Sequence, residues 1–130
     1  MIGLEEVCRL HDAAVEIAGQ ESGGLTPWQA HRLRGALDRA AAWADEGDPI
    51  WSIAAVGVLV AVTEAFPHAN LRTALAVVAT LLERSGLPHT SDWLSVARAL
   101  AEPIGNPAAA TTELARALAP PAPRGGPLPR

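Results

Sequence analysis

The sequence predicts an all-α protein, and three observations carry that prediction. Apolar residues recur at helical spacing through most of the chain. A capping residue followed at once by proline occurs three times, at Thr26-Pro27, Asp48-Pro49 and Asn106-Pro107. No stretch alternates with period two, and no Asn-Gly or Asp-Gly turn offers a hairpin. Together these predict one compact domain of about six short helices over residues 1–119, followed by a Pro-rich tail.

The first helix spans residues 4–18 and stops before Gly23 and Gly24. Thr26, Pro27 and Gln29 give an N-cap, a proline at the first helical position and a capping box, so a second helix runs over 27–44. Asp48 and Pro49 open a third, predicted to continue to Phe66, where Pro67 ends it. The fourth covers 70–85, with Gly86 at its C-terminal stop. Thr90 or Ser91 caps a fifth that ends near Ala101, before Pro103. The sixth starts at Pro107 and ends near Ala119. Residues 120–130 hold five prolines and two glycines and no core-forming pattern, which predicts a disordered tail. The cap-proline repeats are punctuation, since the helices behind them differ too much for a repeat architecture.

The third helix has no polar face and is predicted to be central. Ala54, Gly57 and Ala61 lie along one side of it, where small side chains let another helix approach closely. Its apolar stretch, from Ile50 to Val62, is shorter than the roughly 18 to 20 residues that cross a bilayer.

Composition excludes several classes of function. Net charge is −4, and all ten basic residues are arginine, so a broad basic footprint for nucleic acid is missing. The absence of lysine in an alanine-rich chain points to a GC-rich coding sequence. Cys8 is the sole cysteine, which rules out an internal disulfide and any cysteine-based zinc spacing. With no basic, continuously apolar leader at Met1, the reading is cytoplasmic. Dinucleotide, phosphate-loop, zinc-protease and nucleophile-elbow motifs are all absent, so no cofactor and no metal is predicted.

Two features invite a functional reading. On the first helix Leu4, Val7, Cys8, His11, Ala14 and Val15 form an apolar arc opposite Glu5, Arg9, Asp12 and Glu16. His11 is either a hydrogen-bonded core residue or the floor of a pocket, where it is a candidate acid or base. On the second helix Leu33, Leu37, Ala40 and Ala44 form the expected core arc, with His31, Arg34, Asp38 and Asp45 toward solvent. Trp28, Arg32, Gly35, Arg39 and Trp43 form a third arc, within about 80° and expected almost opposite the core. Either neighbouring elements cover that arc, or it is a recognition face, because tryptophan and arginine dominate binding hot spots.

Weaker features have structural explanations. Asp45, Glu46 and Asp48 are read as a cap with solvated acids, and His68 and His89 as solvated loop residues. Trp51 and Trp93, in the first turns of their helices, are read as packing.

The expected function is therefore a helical accessory or interaction protein, a partner subunit or oligomerising module, using the Trp/Arg face. The alternative is a small-molecule binding protein or unconventional small enzyme of a specialised biosynthetic pathway, with a pocket floored by His11 and an anion held by arginine. Helix-turn-helix DNA binding ranks below both, because the fifth helix offers only Asp92, Trp93 and Arg98 for contacts.

Overall fold

A computed structural model describes residues 1–17 and 25–121. The described residues form six helices and no strand: α1 (Leu4–Ile17), α2 (Pro27–Trp43), α3 (Pro49–Thr63), α4 (Asn70–Ser85), α5 (Trp93–Ala101) and α6 (Pro107–Leu118). Pro120 and Pro121 are exposed and non-helical. The remainder of the predicted tail, residues 122–130, lies outside the described residues.

The helix starts follow the predicted chemistry. Thr26 Oγ1 accepts from the Gln29 amide at 3.2 Å, and Gln29 Oε1 accepts from the Thr26 amide at 2.8 Å, completing the capping box. Asp48 accepts from the Trp51 amide at 3.0 Å, and Asn106 accepts from Ala108 and Ala109. Replacing Thr26 with alanine is expected to lower the unfolding free energy by about 1 kcal/mol, measurable by urea denaturation.

Two boundaries differ from expectation, each for a local reason. The helix α3 ends at Thr63, and Glu64 turns left-handed at φ 48°. Proline at position 67 disfavours helical geometry at Phe66, whose amide and carbonyl bond instead to the Asn70 side chain at 3.0 and 2.8 Å. At α5 the cap is Asp92, which accepts from the Ser95 amide at 3.2 Å; Thr90 acts one step earlier, accepting from the Asp92 amide. Hydrogen bonds from the Ser95 hydroxyl and amide hold the Asp92 carboxyl below its usual range. The stabilisation from that depression is complete above the usual carboxylate range and is lost as pH falls through the lowered value.

The helix α3 is the axis of the fold. Residues Ser52 through Val60 are buried without a break, and α2, α4 and α6 pack around it, with α5 touching it as well. At Gly57 both α4 and α6 approach α3 tightly: a Cβ there would sit 2.4 Å from Val78 Cγ2 and 3.5 Å from Leu114 Cδ2. The small side of α3 thus serves internal packing. The helix α1 lies on α4 and is tied to its C-terminal end by Glu6, which accepts from Arg84 Nη1 at 2.8 Å and also from Nη2. No described helix is long and apolar enough to cross a membrane.

Candidate functional site

The two predicted features fall in different parts of the molecule. His11 is enclosed, with 1% of its surface exposed. Its ring stacks on Phe66 at 3.8 Å and 7°, and Nε2 lies 3.2 Å from the His68 carbonyl oxygen. A carbonyl can only accept, so Nε2 is the donor in this contact. On the other side Nδ1 is 3.4 Å from Asp12 Oδ1, a long contact between adjacent residues. The imidazole therefore joins α1 to the turn between α3 and α4 and has no open surface for a ligand. His11→Gln is expected to reduce stability by about 1–3 kcal/mol through lost stacking and hydrogen bonding, as read from the denaturation midpoint.

The surroundings of His11 explain two neighbours. His68, expected in solvent, is half-buried beside it at 6.1 Å between ring centres, and its Nε2 is enclosed without a hydrogen-bond partner among the described residues. Cys8, one turn before His11, is half-buried. Burial raises its thiol pKa, and the charges of Asp12 and Glu5 raise it further. Less thiolate at neutral pH means a weaker nucleophile. Among the described residues no cluster of three or more histidine, cysteine or acidic side chains is placed to hold a metal ion.

On α2 the core side is rotated from the expected one. Leu33, Ala36 and Ala40 are buried, whereas Leu37 is only half-buried and Ala44 is exposed beyond the helix end. With 100° per residue, including Ala36 moves the core centre toward the tryptophans: Trp43 lies about 50° from it, and Trp28 and Gly35 about 110–130°. The Trp/Arg arc consequently adjoins the core instead of opposing it. It is graded along its length.

At one end Trp43 is half-buried against the core and meets Trp51 at 6.2 Å between ring centres. Arg39 lies over the Trp43 ring, its guanidinium carbon 4.9 Å from the centroid. In the middle, Arg32 Nη2 donates to the Thr63 carbonyl, satisfying one of the carbonyls left open at the end of α3. At the far end Trp28 is 67% exposed and stacks with His31 at 5.8 Å and 26°. Gly35 stands between Arg32 and Arg39. A Cβ there would meet nothing within 4 Å, in contrast to the crowded Gly57. Glycine in an exposed helix interior costs about 0.5–1 kcal/mol relative to alanine, and no contact at Gly35 within the fold offsets that cost.

No family model and no curated protein matches this chain. Its function has to be read from the side chains.

Elsewhere, Trp51 Nε1 donates to Thr112 Oγ1 at 3.2 Å, fastening α3 to α6, and Trp93 meets His89 at 5.9 Å. Trp93 also edges a groove between α1 and α4 walled by Leu10, Ala14, Leu75 and Ala76, with Arg72 beside it. Sequence reasoning missed Ser52, whose buried hydroxyl accepts from the Asp45 amide at 2.7 Å and has the Asp45 and Asp48 carbonyls at 3.0 Å. A lone serine in an apolar helix signals a satisfied hydroxyl, but its partners in the preceding turn are not visible in a linear pattern.

Proposed function

We propose that this protein is a small cytoplasmic interaction module, a partner subunit or self-associating unit, that presents the Trp28, Arg32, Gly35, Arg39, Trp43 strip of α2 to another polypeptide. The observation that carries the reading is the pairing of Trp28 and Gly35. A large ring two-thirds exposed and a bare stretch of helix backbone lie two turns apart and about 20° from each other round the axis. Neither serves the packing described above. A protruding aromatic next to a shallow dip is the arrangement on which an interface hot spot is built.

The reading predicts that Trp28→Ala weakens association by about thirtyfold or more and leaves the unfolding midpoint nearly unchanged. The experiment is purification of the tagged wild type and variant from the native host, with the mass of each complex measured. A complex of the same composition and stability with Trp28→Ala would refute the reading.

The small-molecule reading takes second place. With His11 enclosed, one position left to it is the α1/α4 groove, where Arg72 is the single charged group beside Leu10, Leu75 and Trp93. One cation on an apolar wall gives little chemical specificity.

A further inference from the structure

We infer that the segment recognised by α2 is acidic: a peptide segment with two carboxylates about 10 Å apart and a bulky apolar side chain between them, set over Arg32, Arg39 and Gly35 respectively. This inference rests on the interaction reading above and adds the chemistry of the partner.

The argument begins with the two arginines. They are seven residues apart, which places them on one side of α2 about 10.5 Å apart along the axis. Each is held by a neutral group, Arg32 by the Thr63 carbonyl and Arg39 by the Trp43 ring. Among the described residues neither has a carboxylate within ion-pairing distance, whereas Arg84 is paired with Glu6 and Arg116 with Glu113. A carbonyl and an aromatic face fix the orientation of a guanidinium without cancelling its charge. Arg32 spends one of its five N–H donors on Thr63, and the rest can meet a carboxylate in the bidentate manner. Asp38, the acidic residue within α2, points about 100° away from Arg39 and pairs with neither. On a chain of net charge −4 the strip itself carries two cations and no anion, so its complement is negative.

Gly35 supplies the apolar requirement. It lies one turn from each arginine, and the open space above it admits a side chain from outside between the two charges. A second copy of this chain fits the pattern poorly. In the described helices the acidic pair spaced by seven residues is Glu5 and Asp12, and Arg9 lies on the same polar arc between them, bringing a cation to the strip where an apolar group is needed.

The test uses synthetic helical peptides labelled for fluorescence anisotropy. One carries Glu at two positions seven apart with Leu midway; the controls carry Gln or Lys in place of both Glu. The Glu peptide is expected to bind the full chain at least about fivefold more tightly than the Gln peptide, with the preference shrinking as salt is raised. Arg32→Gln with Arg39→Gln should erase that preference while circular dichroism stays as in the wild type and the melting midpoint falls only by the small loss of the Thr63 hydrogen bond and the Trp43 ring contact. Equal binding of the Glu and Gln peptides by the wild type, or an undiminished Glu preference in the double variant, overturns the acidic-partner inference. If that equal binding is still lost in Trp28→Ala, the interaction face itself stands; if Trp28→Ala changes nothing, both readings fail. Failure of every peptide to bind overturns the inference, as does arginine-dependent self-association, or preferential binding of a DNA duplex that displaces the Glu peptide.

Discussion

Gly57→Leu is expected to abolish cooperative folding. The new side chain would begin 2.4 Å from Val78 Cγ2, with Leu114 Cδ2 at 3.5 Å and the Ala74 carbonyl oxygen at 3.9 Å. Val78 is fully buried, and a β-branched residue in a helix has one strongly preferred rotamer, so its methyl cannot swing aside. Overpacking typically costs about 1–3 kcal/mol; a whole leucine at so tight a contact exceeds that range and approaches the roughly 5–15 kcal/mol that holds a domain together. Alanine gives the sharper experiment. Gly57→Ala gains about 1 kcal/mol of helix propensity, yet is expected to lower the melting midpoint because the Cβ alone collides with Val78. In the Gly57→Ala, Val78→Ala double variant the collision is gone, so the two changes should show a positive coupling. A rise in the midpoint for Gly57→Ala alone would mean that α3 and α4 do not approach this closely.

The second large effect is expected at Leu33. It has no exposed surface and is the main anchor of α2 on the core, so Leu33→Ala should lose about 2–5 kcal/mol in urea denaturation. Arg39→Ala, two turns away on the exposed strip, should lose less than about 1 kcal/mol, the value of an exposed cation over a ring. This contrast separates the two sides of one helix. Similar losses for the two variants would show that the Trp/Arg strip is part of the core and would count against its use for recognition.

The sequence made the helix starts legible because proline, threonine, aspartate and asparagine act on the backbone beside them, and those effects are local. Helix faces were less legible. Alanine carries almost no hydropathic signal, so the burial of Ala36 could not be told from the exposure of Ala41 and Ala42, and the core side of α2 was placed too far from Trp43. The end of α3 was misplaced because Asn70, four residues after Phe66, takes over the backbone groups that another helical turn would have used. His11 was correctly placed on the buried arc of α1. What covers it, the Phe66 ring and the His68 carbonyl, comes from more than fifty residues away, and no local pattern records such a contact. The candidate strip was legible as a cluster of residue types, but its gradient from packed Trp43 to open Trp28 depends on Trp51 and on the end of α3.

The position of α6 against α3 also has a consequence for the order of synthesis. Leu114 comes to Gly57, beside Val78 of α4, from 57 residues later in the chain. At a ribosome producing about 5–20 residues per second, the part of α3 that α6 covers waits roughly three to eleven seconds for its neighbour. During this interval α2 and α4 can already flank α3, but a strip of its valine, leucine and alanine surface still faces water. The nascent protein therefore passes through a sticky stage that the finished fold conceals, and a ribosome stalled before Pro107 would leave it there.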